Sequence, residues 1–295
     1  ELGCCISLVA ETLPRERRGH GTALVAGIGV LGAVTAGLVA ELVGWRANYL
    51  IGGSLGILLL LLRLDARESL LFERSRGETG ERAVSRGNLL ALFTSASRAW
   101  RYLLCFLIGL PTWYTIGILV QRAASLFAPA LGIRGEVLSS RAVAIAYLGL
   151  TFGDLAAGLL SQALRSRRLA VSAFLVVSVA LCAAYLFLVA GWSAASFYAL
   201  IFGLGLGMGY WALFVTVAAE QFGTNLRATV ATTIPNLARG SLVLLTAAFG
   251  VLRERGMDAL SSAAWIGAGC FGLALLAVLG LRETFGTDLD YLERD

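Results

Sequence analysis

The stretch ETLPRERRGHGTALVAGIGVLGAVTAGLVAELV, residues 11–43, joins a short charged loop to an almost entirely apolar run at 21–43. A helix needs about 20 apolar residues to cross roughly 30 Å of hydrocarbon. Because lipid offers the backbone no hydrogen-bond partners, a spanning segment is a helix or part of a closed barrel, and these runs are too long and too uniformly apolar for barrel strands. Similar runs recur at 47–64, 102–121, 142–164, 169–190, 194–218, 228–251 and 259–281, and a shorter one lies at 2–10. We therefore predict an all-α membrane protein with eight full spans and a partial one.

The composition is typical of a protein embedded in a lipid bilayer. Of the 295 residues, 58% are hydrophobic and 15% are charged, and the mean hydropathy is +0.78. A soluble domain is roughly half apolar and a quarter charged. The five cysteines lie inside apolar runs without CxxC spacing, so we expect them to pack as small hydrophobic residues and predict no metal site and no cofactor.

The arginines indicate how the chain is oriented in the membrane. All 24 basic residues are arginine, and the net charge is +5. No nucleic-acid motif accompanies them, so no nucleic-acid partner is expected. Loops on alternate sides of the spans carry 17 and six arginines, and Arg239 lies within a span. Because positive loops stay cytoplasmic, we predict an integral protein of the inner or plasma membrane with a cytoplasmic C-terminus.

A long charged connection and an internal repeat indicate two helical bundles. Residues 64–101 carry mixed charges between two spans, as expected for a linker. The Glu-to-Arg spacing of seven at Glu11 and Arg18 recurs at Glu220 and Arg227. Such duplication is common in secondary transporters. The predicted domains are the remainder of an N-terminal bundle at 1–63, the linker at 64–101, a six-helix C-terminal bundle at 102–281 and a cytoplasmic tail at 282–295.

The first loop resembles a motif of the major facilitator superfamily. Glu11, Pro14, Arg18 and Gly19 form E-x-x-P-x-x-x-R-G, which that family carries between helices four and five, with a degenerate copy between ten and eleven. The tail from Glu283 to Gly286 resembles that of sugar porters and metabolite:proton symporters. The resemblance implies that this chain lacks the first three helices of the family fold.

A second element of that family is the loop sequence G-x-x-x-D-R-x-G-R-R. The segment GLLSQALRSRR, residues 158–168, resembles it, with Gln162 at the acidic position. Glu and Arg at helix ends can form charge-assisted hydrogen bonds and interact with helix dipoles, so we predict a latch that holds one conformation. The alternative is that these are ordinary interfacial charges. The predicted latch residues are Glu11, Pro14, Arg18, Gly19, Gly158, Arg167, Arg168, Glu220 and Arg227.

Arg239 is the strongest candidate for contact with a transported solute. A charge inside a span is costly and usually faces a cavity or a partner. Thr232, Asn236 and Arg239 follow i, i+4, i+7 spacing and share one helical face, and Pro235 leaves a backbone carbonyl without its usual donor. We predict that this face lines a cavity and that Arg239 binds an anionic group. The alternative is a structural ion pair with an acid on another helix.

Further candidates are Asp154 and four aromatic residues. Asp154 is the second charge inside a span, and it is either a proton carrier or the partner of an arginine such as Arg239. Trp113 and Tyr114 follow Pro111, and Tyr210 and Trp211 follow a row of alternating glycines that allows close helix approach or bending. The aromatic residues are predicted to contact substrate, with lipid-facing or packing roles as the alternative.

The resemblance implies secondary active transport of a small solute by alternating access. The intramembrane arginine favours an organic anion, and the symporter-like tail implies protons as a coupling ion. Alternatives are a sugar or drug transporter of the same superfamily, or a receptor or scaffold that keeps the fold without transport. With a single histidine and two clear intramembrane charges, no enzyme activity is expected.

Overall fold

The computed structural model describes residues 18–63 and 87–287, together with residues 5, 8, 9, 13 and 291–293. The regular secondary structure of this described part is helical, with one isolated bridge between Arg134 and Ser193. The partial span predicted at 2–10 lies mostly outside it. The main helices are α1 (Arg18–Leu42), α2 (Trp45–Arg63), α3 (Ala96–Tyr114), α4 (Ser139–Leu164), α5 (Arg167–Phe187), α6 (Ala194–Gly207), α7 (Trp211–Glu220), α8 (Thr224–Glu254) and α9 (Ala259–Gly280).

The helices confirm the all-α membrane fold. Seven segments of the described chain are long and apolar enough to cross a bilayer, and each coincides with a predicted span. The remaining predicted span corresponds to α1, a helix of 25 residues whose apolar stretch covers Gly27–Val39. Helix α3 begins at Ala96, earlier than the predicted residue 102, and continues through a π-helical segment at Thr115–Val120.

One predicted span is broken in the middle. The run at 194–218 forms two helices, α6 and α7, separated by a turn at Met208, Gly209 and Tyr210. Together they still cover the length of one membrane span, Ala194–Glu220. A broken span frees backbone N–H groups at the start of its second half, which must then find partners inside the protein.

Glycines bring α4 and α6 into backbone contact. A Cβ atom at Gly205 would overlap the carbonyl oxygen of Ala146, and a Cβ atom at Gly153 would overlap that of Leu206. A Cβ atom at Gly209 would in turn overlap the backbone of Gly153. Small residues allow transmembrane helices to approach in this way. The contact holds the break between α6 and α7 against the middle of α4.

Helix α1 packs along α4 in the opposite direction. A Cβ atom at Gly27 would lie 3.5 Å from a methyl carbon of Leu155, and one at Gly37 would lie 3.5 Å from Cβ of Ala144. The start of α1 therefore lies at the same end of the molecule as the end of α4. The start of α8 lies at this end too, because Arg167, just after α4, contacts Glu220, four residues before α8 (3.3 Å). Thr224 at the start of α8 donates its N–H to the carbonyl of Tyr291 (2.8 Å), so residues 291–293 also lie here. We call it the tail end.

The tail end contains the starts of both α1 and α8. In the sequence these helices follow the two segments that share the Glu-to-Arg spacing, and a duplicated pair of bundles would place both helix starts at one end. The core lies within the helices from α3 to α9, whereas the membrane-length segment of α2 has no buried residue. Most of the predicted linker, residues 64–86, lies outside the described residues.

Replacing Gly205 with alanine should lower the free energy of unfolding by about 1–3 kcal/mol, because the added methyl group forces α6 away from α4. Thermal unfolding of the detergent-solubilised protein, followed by circular dichroism, measures the change. Gly269→Ala on α9 is the matched control, since no atom lies within 4 Å of its added carbon. Equal stability of the two variants would contradict the proposed importance of the contact.

Candidate functional site

A cavity of about 450 Å³ lies between α1 and the helices of the C-terminal half. Its wall is mainly apolar and aromatic, with one charged side chain among the described residues. Cavities of this size and lining are typical of small-molecule sites. The lining residues are Cys5, Val25, Gly29, Val30, Ala33, Thr112, Trp113, Ile116, Tyr147, Leu150, Trp211 and Arg239.

Arg239 supplies the charge of the cavity wall. It lies near the middle of α8, a helix of 31 residues that contains Pro235. The guanidinium carbon lies 5.0 Å from the ring centroid of Trp113, within the range of a cation–π contact. Among the described residues, no carboxylate forms an ion pair with Arg239; the two pairs present there are Arg101–Glu293 and Arg167–Glu220. Arg239 and Asp154 therefore do not form the ion pair that was the alternative prediction.

Two tryptophans meet beside this arginine. The rings of Trp113 and Trp211 are 5.9 Å apart between centroids and nearly perpendicular, at 83°. Trp113 lies just before the π-helical segment of α3, and Trp211 is the first residue of α7. Each therefore occupies a point where a regular helix changes, and both line the cavity.

Thr232 and Asn236 share a helix with Arg239 but do not line the cavity. The side-chain amide of Asn236 donates to the backbone carbonyl of Thr232 (2.8 Å). Asn236 is exposed, and Thr232 is half-buried. The predicted polar face of α8 is thus present as a helical face, while only Arg239 of the three reaches the cavity.

Tyr114 and Tyr210 are fully buried and lie outside the cavity lining. The hydroxyl of Tyr114 donates to the carbonyl of Ala263 (2.8 Å), and that of Tyr210 donates to the carbonyl of Ile108 (2.9 Å). Both side chains join helices to one another, which corresponds to the packing alternative rather than to substrate contact.

The cavity also includes polar residues that the sequence interpretation missed. Tyr147 projects from α4, and Thr112 precedes Trp113 on α3. Tyr147 lies seven residues before Asp154, so the two share one face of their helix. That spacing was the available signal, because a lone tyrosine in an apolar run otherwise resembles an ordinary packing residue.

Asp154 is buried at the break between α6 and α7. Its carboxylate accepts the backbone N–H of Ala212, the second residue of α7, at 2.8 Å. It is 1% exposed, and its second oxygen has no hydrogen-bond partner among the described residues. A carboxylate at a helix N-terminus satisfies a free N–H group and interacts favourably with the helix dipole. Asp154 thus caps α7 from a neighbouring helix.

Comparison with protein families is consistent with this geometry. Residues 2–247 match the sequence profile of the Major Facilitator Superfamily. The chain belongs to this superfamily. It is therefore a membrane transporter of that class, as the motifs predicted. A comparison with curated proteins gave no match.

The transporter holds a buried ion pair at its tail end. Arg167, the first residue of α5, lies 3.3 Å from the carboxylate of Glu220, the last residue of α7, and both side chains are almost fully buried. Arg167 also donates to the hydroxyl of Ser161 (3.0 Å), and Thr284 donates to Glu220 (2.8 Å). Two predicted latch residues thus contact each other, and the contact joins α4, α5, α7 and the segment after α9.

Glu283 completes this network, although the sequence interpretation did not include it among the latch residues. Its carboxylate accepts the backbone N–H groups of Arg167 (2.9 Å) and Arg168 (3.3 Å) and the hydroxyl of Ser166. Burial alone would raise the pKa of Glu283, but these hydrogen bonds, with one from the N–H of Phe285, outweigh it and lower the pKa below the ordinary 4.5. Glu283 therefore caps α5 as a carboxylate.

The other predicted latch residues have varied surroundings. Arg227 is fully buried and donates to the hydroxyl of Thr224 (3.3 Å), and Gly158 is buried within α4. Arg168 is half-buried and donates to the carbonyl of Leu279 (3.0 Å). Arg18 and Gly19 form the first turn of α1, and their contacts are not among those described. Glu11 and Pro14 lie outside the described residues.

Replacing Glu283 with glutamine should lower the stability of the transporter at neutral pH and weaken its loss of stability on acidification. Because the folded-state pKa of Glu283 is lowered, its stabilising contribution is present above the ordinary value of 4.5 and is lost as the pH falls through the folded-state pKa. We expect the wild-type melting temperature to fall in that range and the variant to show a weaker dependence. Melting in detergent between about pH 3 and 7 covers this titration. Glu136→Gln, in an exposed loop, is the control, and identical pH profiles for all three proteins would contradict the prediction.

Proposed function

We propose that this transporter carries an organic anion by alternating access and that Arg239 binds the anionic group. The observation that supports the proposal is the position of Arg239: mid-span, beside a cavity, against the Trp113 ring and without an ion-pair partner among the described residues. A charge within a bilayer is costly, and a bound anion would compensate it. A guanidinium can donate two parallel hydrogen bonds to a carboxylate.

Alternating access requires a site between two bodies that move. The cavity has residues 25–33 of α1 on one side and α3, α4, α7 and α8 on the other. In our proposal, α1 and α2 belong to an N-terminal bundle and α3 to α9 form the C-terminal bundle, and these rock about the cavity. The tail end faces the cytoplasm of the inner or plasma membrane, as the arginine distribution favours.

The ion pair between Arg167 and Glu220 is proposed to act as the latch. The attraction between two buried charges offsets the cost of removing them from water only when their geometry is good. A buried pair is therefore sensitive to small helix displacements. The pair, together with Glu283, would stabilise the conformation described here and would separate as the helices move.

Replacing Arg239 with glutamine should reduce uptake of organic anions at least about tenfold, because charge-assisted hydrogen bonds to the anion are lost. Uptake of labelled carboxylates into proteoliposomes measures the effect, and Arg239→Lys should retain part of the activity because it retains the charge. Arg253→Gln is the matched control, since Arg253 is exposed at the end of α8 and donates to the carbonyl of Met257. Unchanged uptake in Arg239→Gln would refute the role. Uptake of glucose or of a cationic drug, with none of carboxylates, would favour the alternative substrates.

Asp154 is the proposed proton carrier. Asp154 is a buried acid within a membrane span, and its carboxylate caps the start of α7 in the broken span. A change in its charge would therefore alter the contact that holds the start of α7 in place. A protonated carboxyl is a weaker acceptor for the N–H of Ala212 than a carboxylate. Protonation would therefore favour a different arrangement of α7.

Asp154→Asn should abolish accumulation driven by a pH gradient while retaining downhill exchange. The asparagine oxygen can still accept the N–H of Ala212, so the cap is kept while the titratable group is removed. Parallel measurements of gradient-driven uptake and of exchange separate the two activities. Asp258→Asn, which alters the exposed cap of α9, is the control. Gradient-driven accumulation at the wild-type level in Asp154→Asn would rule out proton transfer through this residue.

A further inference from the structure

We infer that the cavity binds a monocarboxylate with a flat aromatic body, of the chemical class of benzoate and phenylacetate. The inference rests on the proposed function, in which Arg239 binds an anion, and it adds the number of charges and the shape of the solute. Three features of the described lining carry it: a single cation, few hydrogen-bonding groups and a set of aromatic faces beside the cation.

The charge of the wall matches one carboxylate. Arg239 is the charged side chain among the described lining residues. A second carboxylate in the same cavity would be removed from water without a partner, which is strongly unfavourable. A cationic solute would meet the guanidinium at close range. The cavity therefore favours a monoanion over a dicarboxylate or an organic cation.

The hydrogen-bonding capacity of the wall is too small for a sugar. Apart from Arg239, the polar side-chain groups of the described lining are the hydroxyls of Thr112 and Tyr147, the indole N–H of Trp113 and Trp211, and the thiol of Cys5. A sugar carries a hydroxyl on most of its carbons, and each buried hydroxyl without a partner costs binding free energy. The body of the solute is therefore expected to be apolar.

The aromatic faces favour a flat body. Trp113 and Trp211 form a perpendicular pair that is 5.9 Å apart, and Tyr147 and Ile116 also line the cavity. An aromatic ring packs on such faces in offset or edge-to-face geometry and gains more than an aliphatic ring of equal area. Because Arg239 lies over Trp113, a carboxylate held by the guanidinium would bring its ring against this pair.

Binding to the purified, detergent-solubilised protein tests the inference. Titration calorimetry is carried out with benzoate, with cyclohexanecarboxylate of equal charge but puckered shape, with neutral benzyl alcohol, with succinate and with glucose. We expect benzoate to bind about threefold to tenfold more tightly than cyclohexanecarboxylate, and at least about tenfold more tightly than the other three.

Variants assign these preferences to residues. Arg239→Gln should weaken the binding of both carboxylates at least about tenfold. Trp113→Leu should remove the preference for benzoate over cyclohexanecarboxylate, and Trp113→Phe, which retains an aromatic face, should restore part of it. Trp265→Leu is the control, because Trp265 is 68% exposed on α9 and lies outside the cavity lining. The same preference in Trp113→Leu and in the wild-type protein would overturn the role of the aromatic pair.

The outcomes separate this inference from the function on which it rests. If benzoate and cyclohexanecarboxylate bind with equal affinity and Arg239→Gln weakens the binding of both, the aromatic preference is overturned while the proposed anion site is supported. Tighter binding of succinate or glucose than of benzoate, or no binding of benzoate, would also overturn it. Equal affinity for benzoate and benzyl alcohol, unaffected by Arg239→Gln, would overturn the anion site as well.

Discussion

The backbone contact between α4 and α6 is the constraint on which the cavity depends. Glycines at 149, 153, 205 and 209 allow the two helices to touch without intervening side chains. The break after α6 therefore lies beside Asp154, whose carboxylate caps the first turn of α7. That cap fixes where α7 begins and hence where its first residue, Trp211, meets Trp113. A separation of α4 from α6 would disturb each of these contacts in turn.

The two intramembrane charges are accommodated by different means. Asp154 is compensated by a helix N-terminus and is almost fully buried, whereas Arg239 is exposed and contacts an aromatic face. Had they paired, each would have cancelled the other and left the cavity wall without a charge. Because they do not pair in this structure, an anion could bind to Arg239 without displacing an internal partner. Proton transfer at Asp154 would then act through α7 rather than through direct contact with the bound anion.

Much of the fold could be predicted from the sequence, because span length and apolarity are local properties. The membrane-length helices lie within a few residues of the predicted runs, whereas the break at Met208–Tyr210 does not follow from hydropathy, since an alternating glycine row is compatible with close packing or with bending. The site was predicted in part. Trp113, Trp211 and Arg239 line the cavity, but Tyr210 does not although it is adjacent to Trp211, and that difference depends on where α7 restarts. Tyr147 reaches the cavity through the packing of α4, and its seven-residue spacing from Asp154 was the signal that the sequence offered.

Helix α7 provides the physical connection between the cavity and the tail end. It spans ten residues, or about 15 Å, with Trp211 at one end and Glu220 at the other. A packed helix of this length moves approximately as a rigid body, so a displacement that alters the Trp113–Trp211 contact also alters the distance between Glu220 and Arg167. The tail-end pair is buried, and its interaction weakens sharply once its geometry is lost. A solute that shifts Trp211 would therefore act on the ion pair through α7. Separation of the pair would in turn allow the cavity end of α7 to move.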